Sequence, residues 1–394
     1  MTSPDPSGGR RAVLTGGRPH SFGAGSRLRS RTKVLPEQAR AHNRALVLQT
    51  LYHRGALSRA DLSRETGLTR VTISDLVAEF IADGIVTEIG VREVTGPGKP
   101  AILIDIDRTG HHIIGIDLSG AAEFEGAVLD LDGSVLERRS VPLPDAAEPE
   151  LAYAAVRRLA GLLLDAATRP VLGIGIGTPG VVRPDGVVLS APNLGWSDFS
   201  LESRLQGELS LPVLARNDAN AAVLAEYTFG DAPADLMLIR IGRGVGAGLI
   251  TGGEPLVGGR FAAGEIGHVV VGTDPGPECA CGRHGCLEAW VNVPRLENAV
   301  AAAPDERDAI LRQAGERLGI GIAQIVAALD LSEVVLSGDR TALSDPFVDA
   351  ATRTLHERTL DGVFEDVIIR FSDQRDIVLR GAAVMVLSAQ LGVS

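Results

Sequence analysis

Residues 265–290 read EIGHVVVGTDPGPECACGRHGCLEAW and contain every cysteine of the chain, close to a histidine. Cys279, Cys281, Cys286 and His268 supply three thiolates and one imidazole, which together form a complete tetrahedral ligand set for zinc. The spacing C-x-C-x4-C departs from the commoner C-x2-C knuckle, but the glycines in the run allow the backbone to fold tightly around an ion. The run therefore predicts a structural Zn2+ site with no ligand position left open.

Two alternatives remain open at this loop. His284 lies between the second and third cysteines and could replace His268 as a ligand, and three unrelated buried thiols would need no metal. An odd number of clustered cysteines does not suit a disulfide framework, and the N-terminal residues lack the apolar core of a signal peptide. Because no apolar run reaches the length of a membrane span either, we expect a cytoplasmic protein with no membrane partner.

On both sides of this loop, residues 110–394 alternate between β-runs and Ala/Leu-rich helical segments, a pattern typical of an α/β fold. The predicted strands lie in the runs 111–120, 124–143, 171–182, 211–218, 236–242, 246–253 and 333–338. The predicted helices lie in the runs 149–168, 219–229 and 317–329. Because comparable strand sets precede the first helix and recur after Leu236, we predict two similar lobes around a cleft.

Residues 37–107 predict a winged helix-turn-helix. The run HNRALVLQTLYHRG (42–55) has apolar residues at helical spacing and ends at a glycine, which indicates an amphipathic helix. Its apolar positions are Ala45, Leu46, Leu48, Leu51 and Tyr52. Two short helices follow, capped by Ser58 and Thr69 and ending near Gly67 and Asp83. A strand, a Gly/Pro turn that contains Lys99, and a second strand would then form the wing.

The second short helix presents a polar N-terminal end that suits DNA. Its apolar residues Ile73, Leu76, Val77 and Phe80 share one face, which leaves small polar side chains free to reach base edges and phosphates in a major groove. We predict that Ser58, Thr69, Arg70, Thr72, Ser74 and Lys99 contact operator DNA, with Arg92 also near the wing. A helical interaction module that binds no DNA is the alternative.

Charge is distributed unevenly along the chain. Residues 1–107 hold 15 basic and 11 acidic side chains, whereas residues 108–394 hold 23 basic and 39 acidic ones. Nucleic acid therefore suits the N-terminal part alone. Residues 1–36 are rich in Ser, Gly, Pro and Arg without periodicity, so we expect a flexible basic arm that adds at most non-specific attraction for phosphates.

The metal-ligand run, together with five other stretches, resembles the ROK family of repressors, open reading frames and kinases. Glu265-x-x-His268 followed by C-x-C-G-x-x-G-C-x-Glu288 is similar to the family's zinc motif. The other stretches occur in the family's order: GIGIGTPGVV (173–182), APNLGW (191–196), NDANAAVLAE (217–226), IGRGVGAGLITGG (241–253) and VVLSG (334–338). The resemblance covers residues 110–394. The predicted winged helix-turn-helix, residues 37–107 (the head), extends it to the transcriptional-regulator branch. It implies a two-lobed, actin-like (ribonuclease-H-like) ATPase-type fold that binds a sugar between the lobes.

The resemblance also implies a set of sugar contacts: Asn193, Asn217, Asp218, Glu265, His268 and Glu288. Carboxylates, amides and an imidazole can pair with sugar hydroxyls, which both donate and accept. If one nitrogen of His268 binds zinc, the other can reach the sugar, so the metal would orient a recognition residue. Simpler roles remain open, because Asn217 and Asp218 could only cap a helix, Asn193 could be a turn residue and Glu288 a solvated carboxylate.

In the family's kinases the position of Asp218 holds the general base. Phosphoryl transfer also needs a phosphate cradle, which the family builds from loops of the form D-x-G-G-T-K and G-T-G-x-G-G-G. Here the first loop (117–122) reads DLSGAA and lacks both the Thr and the Lys, and in the second (242–248) Arg243 replaces the Thr. The second loop could also be a plain tight hairpin. We therefore expect no catalytic residue and no kinase activity.

These features together predict a sugar-responsive transcriptional repressor whose kinase-like body binds a sugar or sugar phosphate and controls operator affinity. A ligand can act only through different affinities for two arrangements, so we expect a homodimer, or a dimer of dimers, in which the spacing of the DNA-binding heads changes. Two other functions remain open. One is an ATP-dependent, glucokinase-like sugar kinase with an appended DNA-binding head, and the other is a zinc-stabilised regulator that responds to a protein partner.

Overall fold

The computed structural model of the chain describes residues 36–91, 101–120, 122–143 and 148–393. The predicted basic arm up to residue 35, the wing residues Arg92 and Lys99, and Ala121 of the first loop lie outside these ranges. Along the described chain, no helix is both long enough and apolar enough to cross a membrane.

The N-terminal part consists of three helices and a small antiparallel sheet of strand order β1-β3-β2. Its elements are α1 (Pro36–Arg54), β1 (Leu57–Ser58), α2 (Arg59–Thr66), α3 (Arg70–Ala82), β2 (Val86–Val91) and β3 (Ile102–Ile106). Helix α1 begins before the apolar run that starts at His42. Its residues 37–41 are exposed and carry no apolar periodicity, so the sequence pattern did not predict them as helix. Val47 is buried in addition to the predicted Leu48, Leu51 and Tyr52, whereas Ala45 and Leu46 are half-buried.

The predicted caps of α2 and α3 are confirmed. The Ser58 hydroxyl accepts the backbone N–H of Asp61 at 3.2 Å, and the Asp61 carboxylate accepts the backbone N–H of Ser58 at 3.1 Å, which is a reciprocal capping box. Helix α2 ends at Gly67, and Thr69 then accepts the backbone N–H of Thr72 at 3.2 Å to start α3. The four apolar residues predicted for the inner face of α3 are all buried.

The first lobe is built on a five-stranded sheet of order β11-β7-β4-β5-β6. Its elements are β4 (His112–Asp117), β5 (Glu123–Leu129), β6 (Val135–Pro142), α4 (Pro149–Ala166), β7 (Val171–Thr178), β8 (Val181–Val182), β9 (Val187–Ala191), β10 (Trp196–Ser200), α5 (Leu201–Leu209) and β11 (Val213–Asn217). Strands β4 to β6 are antiparallel, and β7 and β11 join the sheet in parallel. Strands β8, β9 and β10 form a separate small sheet that the sequence did not predict in full.

The second lobe repeats this order in a sheet of order β14-β13-β12-β15-β16. Its elements are α6 (Asp218–Phe229), β12 (Leu236–Ile241), β13 (Val245–Thr251), β14 (Glu254–Pro255), α7 (Leu287–Val291), α8 (Val293–Ala302), α9 (Arg307–Leu329), β15 (Glu333–Gly338), α10 (Asp345–Glu357), β16 (Ile368–Phe371) and α11 (Ile377–Leu391). Three antiparallel strands are again followed by two parallel ones. The prediction of an α/β fold with two similar lobes is confirmed.

The C-terminal helix α11 connects parts of the molecule that are distant in sequence. It packs on β4 and β7 of the first sheet and along α6. Its residues Leu387 and Leu391 also share a hydrophobic core with Leu48 and Leu51 of α1. Helix α11 therefore contacts both the N-terminal part and the helix that begins at Asp218.

Candidate functional site

A short turn at the edge of the second sheet carries Glu265 and His268. It begins at Gly264, whose φ of +95° is a conformation that favours glycine, and a Cβ there would lie 1.8 Å from the carbonyl oxygen of Ala247. The turn continues as a 3-10 helix, Ile266–His268, whose Ile266 is buried. The backbone of β13 thus fixes the position from which both side chains project.

The metal-ligand set of the sequence converges in space. The ligand atoms of His268, Cys279, Cys281 and Cys286 all lie within 4.8 Å of one another. The Cys281 and Cys286 sulfurs are 3.6 Å apart, and the Cys279 sulfur lies 3.7 Å from Nδ1 of His268. A tetrahedron with Zn–S bonds of about 2.3 Å has edges of about 3.8 Å, so the donor set fits zinc in both chemistry and size.

The two histidines of the loop have different surroundings. Nδ1 of His268 faces the sulfurs, while its Nε2 makes no hydrogen bond with the part of the chain that the structure describes. His284 lies outside the cluster, is exposed, and places Nδ1 3.3 Å from the carbonyl oxygen of Gly276. The geometry therefore favours His268 as the fourth ligand and leaves its second nitrogen available.

Asn217 and Asp218 occupy the start of α6, directly after β11. The Asn217 side-chain oxygen accepts the backbone N–H groups of Ala219 at 2.9 Å and Asn220 at 3.1 Å, and its amide donates to the Gly180 carbonyl at 3.0 Å. Asn217 is thus the N-cap of α6. Capping holds the neighbouring Asp218 at the helix start.

Asp218 does not stand alone, because Arg240 of β12 forms an ion pair with its carboxylate. The same guanidinium donates to the Ser119 hydroxyl at 3.2 Å, and that hydroxyl donates to Asp117 at 2.6 Å. The Asp218 side chain is only 18% exposed. Burial raises the pKa of Asp218 above its ordinary value, although the Arg240 guanidinium acts in the opposite direction.

No motif or spacing in the sequence singled out Arg240 or Ser119. The available signal was a charged residue inside the otherwise apolar strand LMLIRI (236–241). Arg240 and Ser119 are 121 residues apart and meet only across the assembled fold.

Glu288 links the metal-ligand loop to the second, glycine-rich loop (242–248). One carboxylate oxygen accepts the backbone N–H of Val245 at 3.0 Å, and the other lies 3.7 Å from the Cys279 sulfur. Between β12 and β13 the glycine-rich loop is a tight hairpin, closed by the Gly242 N–H donating to the Gly244 carbonyl at 3.0 Å. Glu288 is therefore a half-buried, hydrogen-bonded group and not a solvated one.

Three of the six predicted sugar residues act electrostatically on a fourth, Glu265. Burial raises the pKa of Glu265, the imidazole of His268 lowers it, and the carboxylates of Asp218 and Glu288 raise it, so that the pKa lies above its ordinary value. The Glu265 carboxylate makes no side-chain hydrogen bond with any described residue, which leaves it free to accept. Such a group of acceptors beside an oriented imidazole can bind several hydroxyl groups at once.

Asn193 differs from the others. It lies in the 3-10 turn Pro192–Leu194, is exposed, and makes no side-chain hydrogen bond with a described residue. A cavity of about 570 Å3 opens elsewhere, at the end of α5, and none of the six residues lines it. Its walls are Ser203, Gln206, Gly207, Ser210, Leu211 and Pro212. The candidate site is therefore identified by its converging polar groups and not by this cavity.

The predicted DNA-contacting residues of the N-terminal part differ in how exposed their side chains are. Thr69, Arg70 and Ser74 are exposed at the start of α3, and Thr72 is half-buried. Ser58 is 4% exposed, and its hydroxyl donates to the Asp61 carboxylate at 2.7 Å. The Arg70 guanidinium makes neither a hydrogen bond nor an ion pair within the described chain.

Comparison with known proteins places the chain in one family. A sequence model of the ROK family matches residues 113–389. The xylose repressor of Caldicellulosiruptor bescii is 29% identical over 393 residues, which cover 89% of this chain and 96% of the relative. The glucokinase of Halalkalibacterium halodurans is 32% identical over 230 residues, which cover 56% of this chain and 69% of the relative.

The fold is also that of a solved structure. The crystal structure of a ROK family transcriptional regulator, a homologue of the E. coli MLC protein, matches with a TM-score of 0.80 at 23% identity. The match covers 90% of this chain and 98% of that chain. Both the N-terminal part and the two-lobed body therefore lie within a known architecture.

Proposed function

Because this chain belongs to the ROK family, we propose that it is a sugar-responsive transcriptional repressor. The two-lobed body binds a sugar or sugar phosphate and thereby controls the affinity of the N-terminal head for operator DNA. The observation that carries the proposal is the extent of the similarity to the xylose repressor, which covers 89% of this chain and so extends beyond the body into the head. The similarity to the glucokinase covers 56%.

The head, residues 37–107, acts as a winged helix-turn-helix. The exposed N-terminal end of α3 enters a major groove, where Thr69, Arg70 and Ser74 reach base edges or phosphates. Lys99 of the wing contacts a phosphate of the backbone. Ser58 takes no part in this surface, because it is buried as the cap of α2.

The sugar is held by the group of acceptors in the body. Glu265 and Nε2 of His268 have unused hydrogen-bonding capacity, which supports a direct role in binding hydroxyl groups. Asp218 and Glu288 contribute their remaining carboxylate lone pairs, and Asn217 holds Asp218 in place. The exposed amide of Asn193 reaches the ligand when the lobes close.

A structural Zn2+ ion is held by His268, Cys279, Cys281 and Cys286. The three thiolates and the imidazole complete its tetrahedral shell, so the ion has no open position for chemistry. When bound, it fixes the orientation of the His268 ring and thereby the direction in which Nε2 points.

The proposed function includes no phosphoryl transfer. A general base must accept the proton of the attacking hydroxyl, but the Asp218 carboxylate is already paired with Arg240. The absence of the Thr and Lys of the first loop supports the same conclusion. A homodimer then converts closure of the lobes into a changed spacing of two heads.

The test is a titration of the full-length protein onto duplex DNA from upstream of its own gene, at one fixed salt concentration, with and without a panel of sugars and sugar phosphates. We expect specific binding that one sugar weakens about tenfold, or about 1.4 kcal/mol of coupling. Glu265→Ala should abolish the sugar effect and keep sugar-free DNA binding, whereas Glu254→Ala, an exposed glutamate on β14, should leave both unchanged.

Three outcomes contradict the proposal. A Glu265→Ala variant with a normal sugar response would exclude the proposed pocket. DNA binding that no sugar changes would favour a protein partner as the effector. Sugar-dependent release of ADP from ATP that Asp218→Asn abolishes would instead identify a sugar kinase.

A further inference from the structure

Two large apolar side chains of α3 are exposed, Val71 near its start and, to a smaller extent, Ile81 (37%) near its end. Val71 is 70% exposed, whereas Ile73, Leu76, Val77 and Phe80 of the same helix are at most 2% exposed. Valine is a poorer helix former than alanine, so this side chain does not favour the local helix either.

The exposed residues of α3 form a face opposite the core. Val71, Ser74, Asp75 and Ala78 are all exposed and follow the i, i+3, i+4, i+7 spacing of one helical stripe. The buried stripe has the same spacing, displaced by two residues. Val71 is the first residue of the exposed stripe, directly after Arg70.

The hydroxyl groups around Val71 are largely engaged within the helix. The Thr69 and Thr72 hydroxyls lie 2.9 Å apart, and the Ser74 hydroxyl donates its proton to the Arg70 carbonyl at 2.8 Å. A hydroxyl has a single proton to donate, so Ser74 can still accept but not donate. At this end of α3 the Ser74 hydroxyl can therefore only accept from DNA, whereas the Arg70 guanidinium and the Val71 methyls have no partner within the described chain.

The single charge on the stripe, Asp75, indicates which part of DNA the stripe faces. Asp75 lies one turn after Val71 on the same face, and a carboxylate is repelled by the phosphate backbone. It can be accommodated at base edges, where carboxylates accept from the amino group of cytosine. The Val71–Ala78 stripe thus suits the floor of a major groove, while Arg70 at its end can reach a phosphate or a guanine.

We propose that Val71 contacts the 5-methyl group of a thymine in the major groove and so specifies thymine at one position of each operator half-site. This inference rests on the proposed DNA-binding function. An aliphatic side chain offers no hydrogen bond, and the thymine methyl is the one apolar group that base pairs present in the major groove. Val71 therefore adds a sequence preference that the predicted polar contacts do not supply.

The experiment uses the full-length protein and the segment of upstream DNA that it protects. Each thymine of that duplex is replaced in turn by deoxyuridine, which removes only the methyl group, and binding is measured by fluorescence anisotropy at fixed salt. We expect one thymine per half-site at which the replacement weakens binding roughly fourfold, the factor for one methyl-sized group.

The matched variants show whether residue 71 makes this contact. Val71→Ala should bind the thymine duplex roughly fourfold more weakly than the wild type and should no longer respond to deoxyuridine at that position. Leu360→Ala, which truncates a side chain 68% exposed on the body, should keep both the affinity and the response. Circular dichroism and the thermal midpoint should be unchanged in both variants, because both positions are exposed.

The outcomes separate this inference from the proposed function. Specific, sugar-dependent operator binding in which no deoxyuridine position depends on residue 71 overturns the thymine contact and leaves the repressor proposal standing. A Val71→Ala variant that weakens thymine and deoxyuridine duplexes by the same factor also overturns it. Failure of the wild type to bind any upstream duplex overturns both.

Discussion

Among the single residues of the body, Arg240 has the largest influence on Asp218. A guanidinium and a carboxylate that are both mostly buried stabilise each other, and removing one partner leaves the other charge poorly solvated. The pair also connects to Ser119 and Asp117, so the start of α6 and the loop after β4 are held by one hydrogen-bonded network. The Arg240 guanidinium thus favours the ionised form of Asp218 and occupies part of its hydrogen-bonding capacity.

Arg240→Gln should make sugar binding sensitive to acid. Without the guanidinium, burial and the Asp117 charge raise the pKa of Asp218 further, so the carboxyl takes up a proton, and stops accepting as an anion, at a higher pH than in the wild type. The sugar affinity of the variant should therefore begin to fall at a higher pH. Isothermal titrations between pH 8 and pH 5 measure this, and Arg340→Gln, which affects an exposed pair with Asp373, is the control.

The loss of folding stability caused by Arg240→Gln should be larger at high pH than at low pH, the reverse of the effect on sugar affinity. A carboxyl whose pKa is raised by folding destabilises the folded state above that pKa, and the penalty is relieved as the pH falls through it. Arg240→Gln should therefore cost about 1–3 kcal/mol near pH 8 and less at pH 5. Equal losses of stability at pH 8 and pH 5 would show that Arg240 does not stabilise the folded state through the Asp218 charge.

Residue-scale prediction succeeded where the partners are close in sequence. His268 and the three cysteines lie in one loop, so closing that loop brings them together and their spacing is informative. Arg240 and Ser119 meet only when β12 reaches the loop after β4, and no spacing rule covers such a contact. The cap of Asn217 was predictable as an alternative because capping depends on local sequence.

A clear period or cap made several elements predictable, although the amphipathic helices α8 and α10 were not predicted. Helices α2 and α3 begin and end at the predicted caps. Helix α11 is apolar on nearly every side because it is buried between α6 and the first sheet, so it lacks an amphipathic pattern. Strands β9 and β10 flank a Pro/Gly turn that itself suggests a loop.

The metal-ligand loop is the element that should depend most on an ion. Between β14 and α7 it contains the 3-10 turn at Ile266–His268 and the isolated bridges Val270–Cys286 and Glu278–His284 as its described regular structure. Cys281→Ser should remove about one zinc per chain and weaken sugar binding tenfold or more, because His268 loses its fixed orientation. The far-ultraviolet spectrum should change little, since neither five-stranded sheet includes a residue of the loop.

Zinc analysis and sugar titration of Cys281→Ser and Ala280→Ser measure this dependence. Ala280 is exposed in the same loop and is not a ligand, so Ala280→Ser should keep both the zinc and the sugar affinity. Full sugar affinity in zinc-free protein would show that sugar binding does not depend on the metal.

At the scale of the whole molecule, the head contacts the first lobe through side chains as well as through the connecting chain. The Tyr52 hydroxyl, whose pKa burial raises, donates to the Leu131 carbonyl at 2.8 Å, and Arg108 lies over the Tyr52 ring. Leu391 and Val393 at the end of α11 are buried in the same core as α1. Because α11 also packs along α6, the helix that starts at Asp218, packed side chains connect the proposed sugar site with α1.

Gly392→Ala should weaken this connection without touching either site. Gly392 has a φ of +69°, and a Cβ there would lie 2.3 Å from the Cβ of Ala45, so the end of α11 must move away from α1. We expect the variant to keep its sugar affinity and its sugar-free DNA affinity, at a stability cost of about 1–3 kcal/mol, while the sugar's effect on DNA binding falls towards zero. Gly362→Ala is the matched control, because its φ of +74° imposes the same backbone strain with nothing within 4 Å. An undiminished sugar effect in Gly392→Ala would mean that the head follows the first sheet and not the C-terminal helix.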